Sequence, residues 1–219
     1  MANNQSINVY LKIKQDSQVS ELIKEFNKFL EQQQIFTDYQ ITPYLQNHPL
    51  HVTLYLADYQ ETQIPMIIKQ TEALAKQQKQ VSILTSRFIP KGGYVMLSVT
   101  NDPQIQGLSN KALHALSPLR NKKAPIPTWA AQDIGRQLIF QQYGSPNVLN
   151  YFNPHFSVFT AENLRPDDSA RLHQQLQQLI SLFVKNHQTQ IRVSAIAIGV
   201  GIANSQGQIV KELKSFALE

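Results

Sequence analysis

The residues of Pro49-Leu50-His51-Val52-Thr53-Leu54-Tyr55-Leu56 alternate strictly in character from Leu50 onward. One set is aliphatic and the other polar or aromatic: Val52, Leu54 and Leu56 against His51, Thr53 and Tyr55. A period of two is typical of a β-strand with one buried face. Side chains two positions apart lie on the same face of a strand. We therefore expect the imidazole of His51 and the hydroxyl of Thr53 to lie side by side.

A second stretch, His155-Phe156-Ser157-Val158, repeats this arrangement later in the chain. It too follows a proline, Pro154, and its histidine and hydroxyl residue are again two positions apart. The pattern predicts a strand over residues 155–160, with His155 and Ser157 on one face. Two strands of this kind can bring four polar groups together across one groove.

Two imidazoles and two hydroxyls suit the cleavage of a phosphodiester bond. One histidine can take a proton from the attacking oxygen while the other gives a proton to the leaving oxygen, since imidazole titrates near neutral pH. The hydroxyls of Thr53 and Ser157 can donate hydrogen bonds to the phosphate oxygens, where charge builds in the transition state. This chemistry requires no metal and no cofactor. Which histidine is the acid and which the base stays open at this point.

The rest of the chain divides into further strands and helices by its apolar periodicity. Strands are predicted at 7–13, 81–89 and 94–100, and at 190–200 and 208–216 as a closing hairpin. Helices are predicted from a cap at Asp16 or Ser17, from about 63 to 76, from Asp102-Pro103, over 128–143 and from 166. Strands and helices thus recur in each half, which predicts an α+β protein.

We expect one bilobal domain over residues 1–219, with helices outside two sheets that are related by a pseudo-two-fold axis around a central groove. The stretch 117–127 contains Pro118, Pro125 and Pro127 together with Arg120, Lys122 and Lys123. Such a stretch interrupts regular structure. It is therefore the predicted boundary between the lobes.

The composition restricts the function classes. With no cysteine among 219 residues, the chain has no disulfide, no cysteine-ligated zinc and no thiol nucleophile. The formal net charge of +5 favours an anionic partner such as a nucleotide or RNA. There is no phosphate-binding P-loop and no dinucleotide-binding fingerprint. No apolar run is long enough to cross a membrane, and residues 1–6 are polar, so a cytoplasmic protein is expected unless a signal peptide has been removed. We also expect the protein to be a monomer.

The paired triplets and their strand contexts resemble the 2H phosphoesterase superfamily. This superfamily includes the bacterial RNA 2′,5′-ligase-like proteins and phosphodiesterases that act on 2′,3′-cyclic phosphates. The resemblance covers most of the chain and extends to Tyr143-Gly144-Ser145-Pro146 and the closing hairpin. It implies that His51 and His155 are the paired acid and base, and that Thr53 and Ser157 contact the phosphate.

The resemblance has two departures. Ser157 stands where threonine is commoner in the family. The two histidines are also separated by 155 − 51 = 104 residues, which is long for compact members. Residues 117–143 are therefore expected to form an elaboration near the groove.

Several other residues are weaker candidates for substrate binding. Tyr55 and Phe159 follow the triplets at the period of two and, like Tyr44, Tyr94 and Tyr151, could stack on a base. Arg87, Lys91, Arg136 and the basic segment 120–123 could contact phosphate. Core packing for the aromatic residues and solvated surface charge for the basic ones are the alternatives. His48, three positions before His51, has no acidic neighbour in sequence that would complete a metal site.

The sequence leaves two other functions open. The first is a non-catalytic module that binds RNA or nucleotides, although the presence of all four triplet residues argues against it. The second is an RNA ligase, but the chain has no nucleotide-charging lysine motif, so ligation could proceed only as the reverse of cleavage.

Overall fold

The computed structural model describes residues 3–218; Met1, Ala2 and Glu219, at the ends of the predicted domain, lie outside the described residues. The described residues form eight strands: β1 (Asn4–Lys12), β2 (His51–Gln60), β3 (Val81–Lys91), β4 (Tyr94–Val99), β5 (His155–Thr160), β6 (Arg192–Ala195), β7 (Ala197–Ala203) and β8 (Ile209–Ala217). They also form six α-helices: α1 (Gln18–Gln32), α2 (Ile35–Asp38), α3 (Ile64–Lys76), α4 (Pro103–Leu116), α5 (Ile134–Tyr143) and α6 (Pro166–Phe183). None of these helices is long and apolar enough to span a membrane.

The strands form two antiparallel sheets of four strands each. The order is β2-β1-β7-β8 in the first sheet and β5-β4-β3-β6 in the second. The strands that carry the triplets, β2 and β5, are edge strands, and they contact each other where the sheets meet. The predicted α+β fold with one triplet on each sheet is confirmed.

The two sheets are built from equivalent units. In each, an inner strand is followed by a helix and then by the edge strand that carries the triplet, as β1-α1-β2 and as β4-α4-β5. The helix of each unit packs against the sheet of the other unit. Helix α4 packs on β2, and Phe26 of α1 stacks on Phe88 of β3 at 4.2 Å between ring centroids. Phe183 of α6 meets both rings edge-on. The buried side chains form one continuous core.

The predicted boundary near 117–127 does not separate the lobes. The strand before this segment, β4, and the strand after it, β5, pair with each other in the second sheet. The chain instead passes from the first sheet to the second between β2 and β3, and it returns between β6 and β7. Proline marks a break in regular structure, but it carries no information about which sheet the next strand joins.

The return between sheets occurs within what the sequence predicted as one strand, 190–200. Residues 192–195 pair with β3 of the second sheet, whereas residues 197–202 pair with β1 of the first. Ile196 lies between them, and its amide donates to the carbonyl of Lys12 at 2.8 Å. A segment with the sequence pattern of one strand therefore contributes a strand to each of the two sheets.

Two helix starts show how local sequence fixes the elements. Ser17, one of the two predicted caps of α1, accepts a hydrogen bond from the amide of Ser20, and Asp102 accepts one from the amide of Ile105 at 2.9 Å. The predicted helix 128–143 begins only at Ile134, because Asp133 caps it there. Caps of this kind satisfy amides that have no partner within the helix.

Asp102→Ala is expected to lower the free energy of unfolding by about 1 kcal/mol, because the first turn of α4 loses its cap. Urea unfolding monitored by circular dichroism measures the change. Asp16→Ala is the matched control, since Asp16 is exposed and precedes α1 without capping it. Equal losses in the two variants would contradict the assignment of the cap.

Candidate active site

The two histidines lie at corresponding positions of the fold. His51 is the first residue of β2 and His155 the first residue of β5. His51 is 6% exposed and His155 is half-buried. The imidazoles are close enough for a charge on His155 to affect the pKa of His51. The structure thus brings together the two triplets that are 104 residues apart in sequence.

Both imidazoles are held in the same way. The Nδ1 atom of His51 lies 3.0 Å from the carbonyl oxygen of Pro49, and Nδ1 of His155 lies 2.7 Å from that of Asn153. In each case the carbonyl belongs to the residue two positions earlier. A carbonyl can only accept, so Nδ1 carries the hydrogen and the lone pair of the neutral ring is on Nε2. Each Nε2 is therefore the ring nitrogen that is left to accept a proton.

The two hydroxyls have matching partners on the neighbouring strands. Nδ2 of Asn8, on β1, donates to Oγ1 of Thr53 at 2.8 Å. The hydroxyl of Tyr94, on β4, lies 2.8 Å from Oγ of Ser157. A hydroxyl that accepts from such a donor keeps its own hydrogen for another acceptor. When Tyr94 donates, both Thr53 and Ser157 can donate to an oxygen in the groove.

Asn8 was missed by the sequence analysis. Its side chain is completely buried, and Nδ2 also donates to the carbonyl of Gly207 at 3.0 Å and lies 3.4 Å from Nε2 of His51. The available signal was its polar position between Ile7 and Val9 on a strand of alternating character. The sequence does not show that this strand pairs with β2. Tyr94 had been weighed only as a stacking residue.

The prediction that Tyr55 and Phe159 face the groove is wrong. In both edge strands the residue after the hydroxyl residue, Leu54 or Val158, has no partner opposite it and forms a β-bulge. An extra residue reverses the alternation beyond it. Tyr55 is 1% exposed and Phe159 is 0% exposed, so neither can stack on a base. The hydroxyl of Tyr55 donates instead to the carbonyl of Tyr143.

Tyr10 lies beside His51, with 5.3 Å between ring centroids. Its ring lies over Gly199 of β7, where an added Cβ would come within 2.4 Å of it. Its hydroxyl donates to Glu212 at 2.8 Å, and Glu212 also pairs with Lys12, the residue opposite His51 in the sheet. The absence of a side chain at Gly199 thus allows an aromatic ring to pack against the imidazole.

Two of the weaker candidates lie on the sheet that carries His155. Arg87 of β3 is exposed, and its amide and carbonyl both bond the hydroxyl of Ser98, which is opposite His155. Lys91 is also exposed, at the end of β3 and opposite Tyr94. Their role in binding substrate remains a prediction.

Arg136 and Tyr151 contact each other. The guanidinium of Arg136 lies 4.6 Å from the ring centroid of Tyr151 and 5.5 Å from that of Trp129. It donates to the carbonyl of Pro146 at 3.0 Å and to the side chain of Asn147. Arg120, in the basic segment, likewise donates to backbone carbonyls. These bonds join Arg120 to residues 117 and 141 and Arg136 to residues 146 and 147, and a role of either arginine in binding phosphate remains a prediction.

Burial lowers the pKa of both catalytic candidates. Desolvation is the largest cause at each, since a buried ring loses the water that stabilises its charge. The pKa of His51 falls to about 4, with a further lowering from His155 and an opposing effect of the Pro49 carbonyl. The pKa of His155 is also lowered, opposed by the hydrogen bond to Asn153. His51 is therefore neutral at pH 7.

The depressed pKa of His51 predicts a pH-dependent stability. Between the unfolded pKa of about 6.5 and the folded pKa of about 4, the unfolded chain binds the proton and the folded one does not. The stability is thus complete above pH 6.5 and is lost as the pH falls towards 4. A pKa difference of this size corresponds to about 3 kcal/mol.

Urea unfolding at several pH values between 4 and 7 measures this dependence. His51→Asn is expected to lose about 3 kcal/mol less than the wild type over the interval. His114→Asn, which changes an exposed histidine of α4, should keep the wild-type dependence. The same slope in all three proteins would exclude the effect.

The Nδ1 atom of His48 bonds the carbonyl of Ile209 at 2.9 Å, and a charge on His48 would further lower the pKa of His51. Within residues 3–218, no three histidine or carboxylate side chains are grouped to hold a metal ion.

Comparisons with known proteins identify related sequences and folds. A family model described as the 2'-5' RNA ligase superfamily matches residues 16–200. TT0787 of Thermus thermophilus superposes with a TM-score of 0.54 at 11% identity, covering 97% of each chain. Usb1 of Kluyveromyces marxianus with uridine monophosphate gives 0.51 at 16%, covering 98% of this chain and 99% of that one. A phosphoesterase gives 0.52 at 12%, covering 99% of each. No curated protein matches the sequence.

Proposed function

Because the chain belongs to the 2'-5' RNA ligase superfamily, and so to the 2H phosphoesterases, we propose that it hydrolyses phosphodiester bonds of RNA ends or small nucleotides without a metal ion. Membership of the superfamily supports an activity on phosphoesters. The observation that carries the finer proposal is the matched geometry of the triplets. Each combines a histidine whose Nδ1 atom is bonded to a carbonyl with a hydroxyl that is hydrogen-bonded to a side chain on the neighbouring strand, Asn8 or Tyr94.

The burial of the two imidazoles suggests their roles. His51 is the more buried ring, so the first proton to bind in the groove goes to His155. In this singly protonated state, Nε2 of His51 removes a proton from water as its oxygen attacks phosphorus. The bond from phosphorus to the leaving ribose oxygen breaks, and Nε2 of His155 gives that oxygen its proton. Exchange with solvent then restores both histidines.

The hydroxyls act on the phosphate itself. As the attacking oxygen approaches, negative charge grows on the two oxygens that take no part in bond making or breaking. Thr53 and Ser157 can each donate to one of them, and donors fixed in advance stabilise the transition state more than the ground state. Asn8 donates to Thr53, and when Tyr94 donates to Ser157 both hydroxyls keep their own hydrogens for the phosphate.

The substrates that we propose are 2′,3′-cyclic phosphates and 2′-5′ linkages. Both place a ribose oxygen as the leaving group, and neither requires a cofactor. The net charge of +5 favours anionic substrates of this class. The uridine monophosphate complex of Usb1, which shares the fold, also supports a nucleotide as the ligand.

The direct test incubates the protein with 2′,3′-cyclic AMP and with a 2′-5′-linked dinucleotide, with and without EDTA. Turnover in EDTA that disappears in His51→Ala and His155→Ala is expected. Activity that EDTA abolishes would refute the metal-free mechanism. Nucleotide binding without turnover by the wild type would favour the non-catalytic module instead.

A further inference from the structure

A cavity of about 720 Å³ is lined by residues that are close in sequence to both triplets, but by neither catalytic histidine. One wall is the segment between α2 and β2, including Thr42 and Tyr44, and another is the segment between β5 and α6. The turn between β7 and β8, with Gln206, forms the third. Its size falls within the roughly 300–1,000 Å³ of small-molecule sites.

Two residues in the wall of the cavity are close in sequence to the triplets. His48, in its wall, is three residues before His51, and Thr160, also in its wall, is three residues after Ser157. The hydroxyl of Tyr44 donates to Oγ1 of Thr160 at 2.7 Å and so joins the two lobes at this end. Ser157 and Thr160 lie on the same strand, where three residues span about 10 Å, so we infer that a nucleoside in the cavity can be joined to a phosphate held by Thr53 and Ser157.

The charges in the lining compensate one another. Arg165 and Arg171 both pair with Asp168, at 2.8 Å and 3.0 Å. The carboxylate of Glu162 accepts from the amide of Gln206 at 3.0 Å. Both arginines are thus already paired with a carboxylate. Although the chain as a whole is basic, the cavity has no excess of positive charge. The lining therefore does not select a second anion.

What the lining offers instead is neutral hydrogen-bonding capacity together with an aromatic ring. The side-chain amides of Gln40, Asn47 and Asn163 are on exposed residues of the wall. Amides pair with the edges of bases and with ribose hydroxyls. The ring of Tyr44, half-buried in the same wall, is a surface on which a base can stack.

We propose that this cavity binds a second nucleoside, the one joined to the first through the phosphate that is cleaved. The inference rests on the proposed function and narrows it, because a dinucleotide or a longer RNA end fills the cavity whereas a 2′,3′-cyclic mononucleotide leaves it empty. The chain then prefers linked nucleotides over cyclic ones. The selecting groups lie outside the four triplet residues.

Thr42→Trp tests the proposal by filling the mouth of the cavity. It is expected to lower kcat/KM for a 2′-5′-linked dinucleotide by about 10-fold or more, and to change that for 2′,3′-cyclic AMP by less than about twofold. Thr37→Trp is the matched control, because Thr37 is exposed on α2 and does not line the cavity. Equal changes for the two substrates in Thr42→Trp would overturn the proposal.

Gln206→Ala provides a second variant on the opposite wall, and thermal unfolding shows which variants are folded. Binding in the His155→Ala background separates the two proposals, since titration calorimetry there needs no turnover. The cavity proposal is supported if the dinucleotide binds more tightly than 2′,3′-cyclic AMP and if Thr42→Trp and Gln206→Ala each remove this difference in affinity. This result would support the cavity even if the wild type cleaved neither substrate. Turnover by the wild type without such an advantage would refute the cavity alone.

Discussion

His155→Ala and His51→Ala are each expected to lower kcat by about 10²- to 10⁴-fold. Either change removes one of the two proton transfers, and the Nδ1 bonds to the carbonyls of Asn153 and Pro49 show that no other part of either imidazole is free for the role. Single-turnover rates on 2′,3′-cyclic AMP measure the loss of the chemical step directly.

The double variant sharpens this prediction. Groups that act in one concerted step are strongly non-additive, so removing both histidines should cost little more than removing one. His114→Ala, on the exposed face of α4, is the control and should retain wild-type rates. Full activity in either single variant would exclude that histidine from the reaction.

Ser157→Ala and Thr53→Val are expected to lower kcat by about 10²-fold each, because each removes one donor to the phosphate oxygens. The value of KM should change little, since the bonds strengthen only in the transition state. Steady-state kinetics of the two variants on one substrate separate kcat from KM.

The conservative variants provide the matched controls. Ser157→Thr and Thr53→Ser keep the hydroxyl and its donor, Tyr94 or Asn8, and should retain most of the wild-type activity. A loss confined to KM in the alanine and valine variants would mean that the hydroxyls bind the substrate without stabilising the transition state. Equal losses in the conservative variants would point to packing instead of hydrogen bonding.

The equivalence of the two units gives a physical account of why one fold supports two-histidine chemistry. In each unit the first residue of the edge strand, His51 or His155, lies where the two sheets meet. The carbonyl of the residue two positions earlier fixes the orientation of its imidazole ring. The bulge one residue after each hydroxyl then turns the strand back into the core. The repeated local pattern therefore produces a symmetric pair of acid–base groups. Burial makes the pair unequal, since His51 is more enclosed than His155.

The local sequence was enough to predict the strands and helices, and to place the histidine and the hydroxyl of each triplet on the same face. The alternation around His51 and His155 is a property of successive residues, so it predicted that each histidine shares a face with its hydroxyl. Apolar residues at three- and four-residue spacing likewise predicted the helices, and Asp102 the start of α4. These features depend on neighbours within a few positions along the chain.

Which strands lie side by side depends on the packing of the whole chain. This packing divided residues 190–203 between two sheets, placed Asn8 and Tyr94 against the hydroxyls, and buried Tyr55 and Phe159 beyond the bulges. It also formed the cavity from three segments that are far apart in sequence. These outcomes depend on the packing of distant residues, about which a local period carries no information.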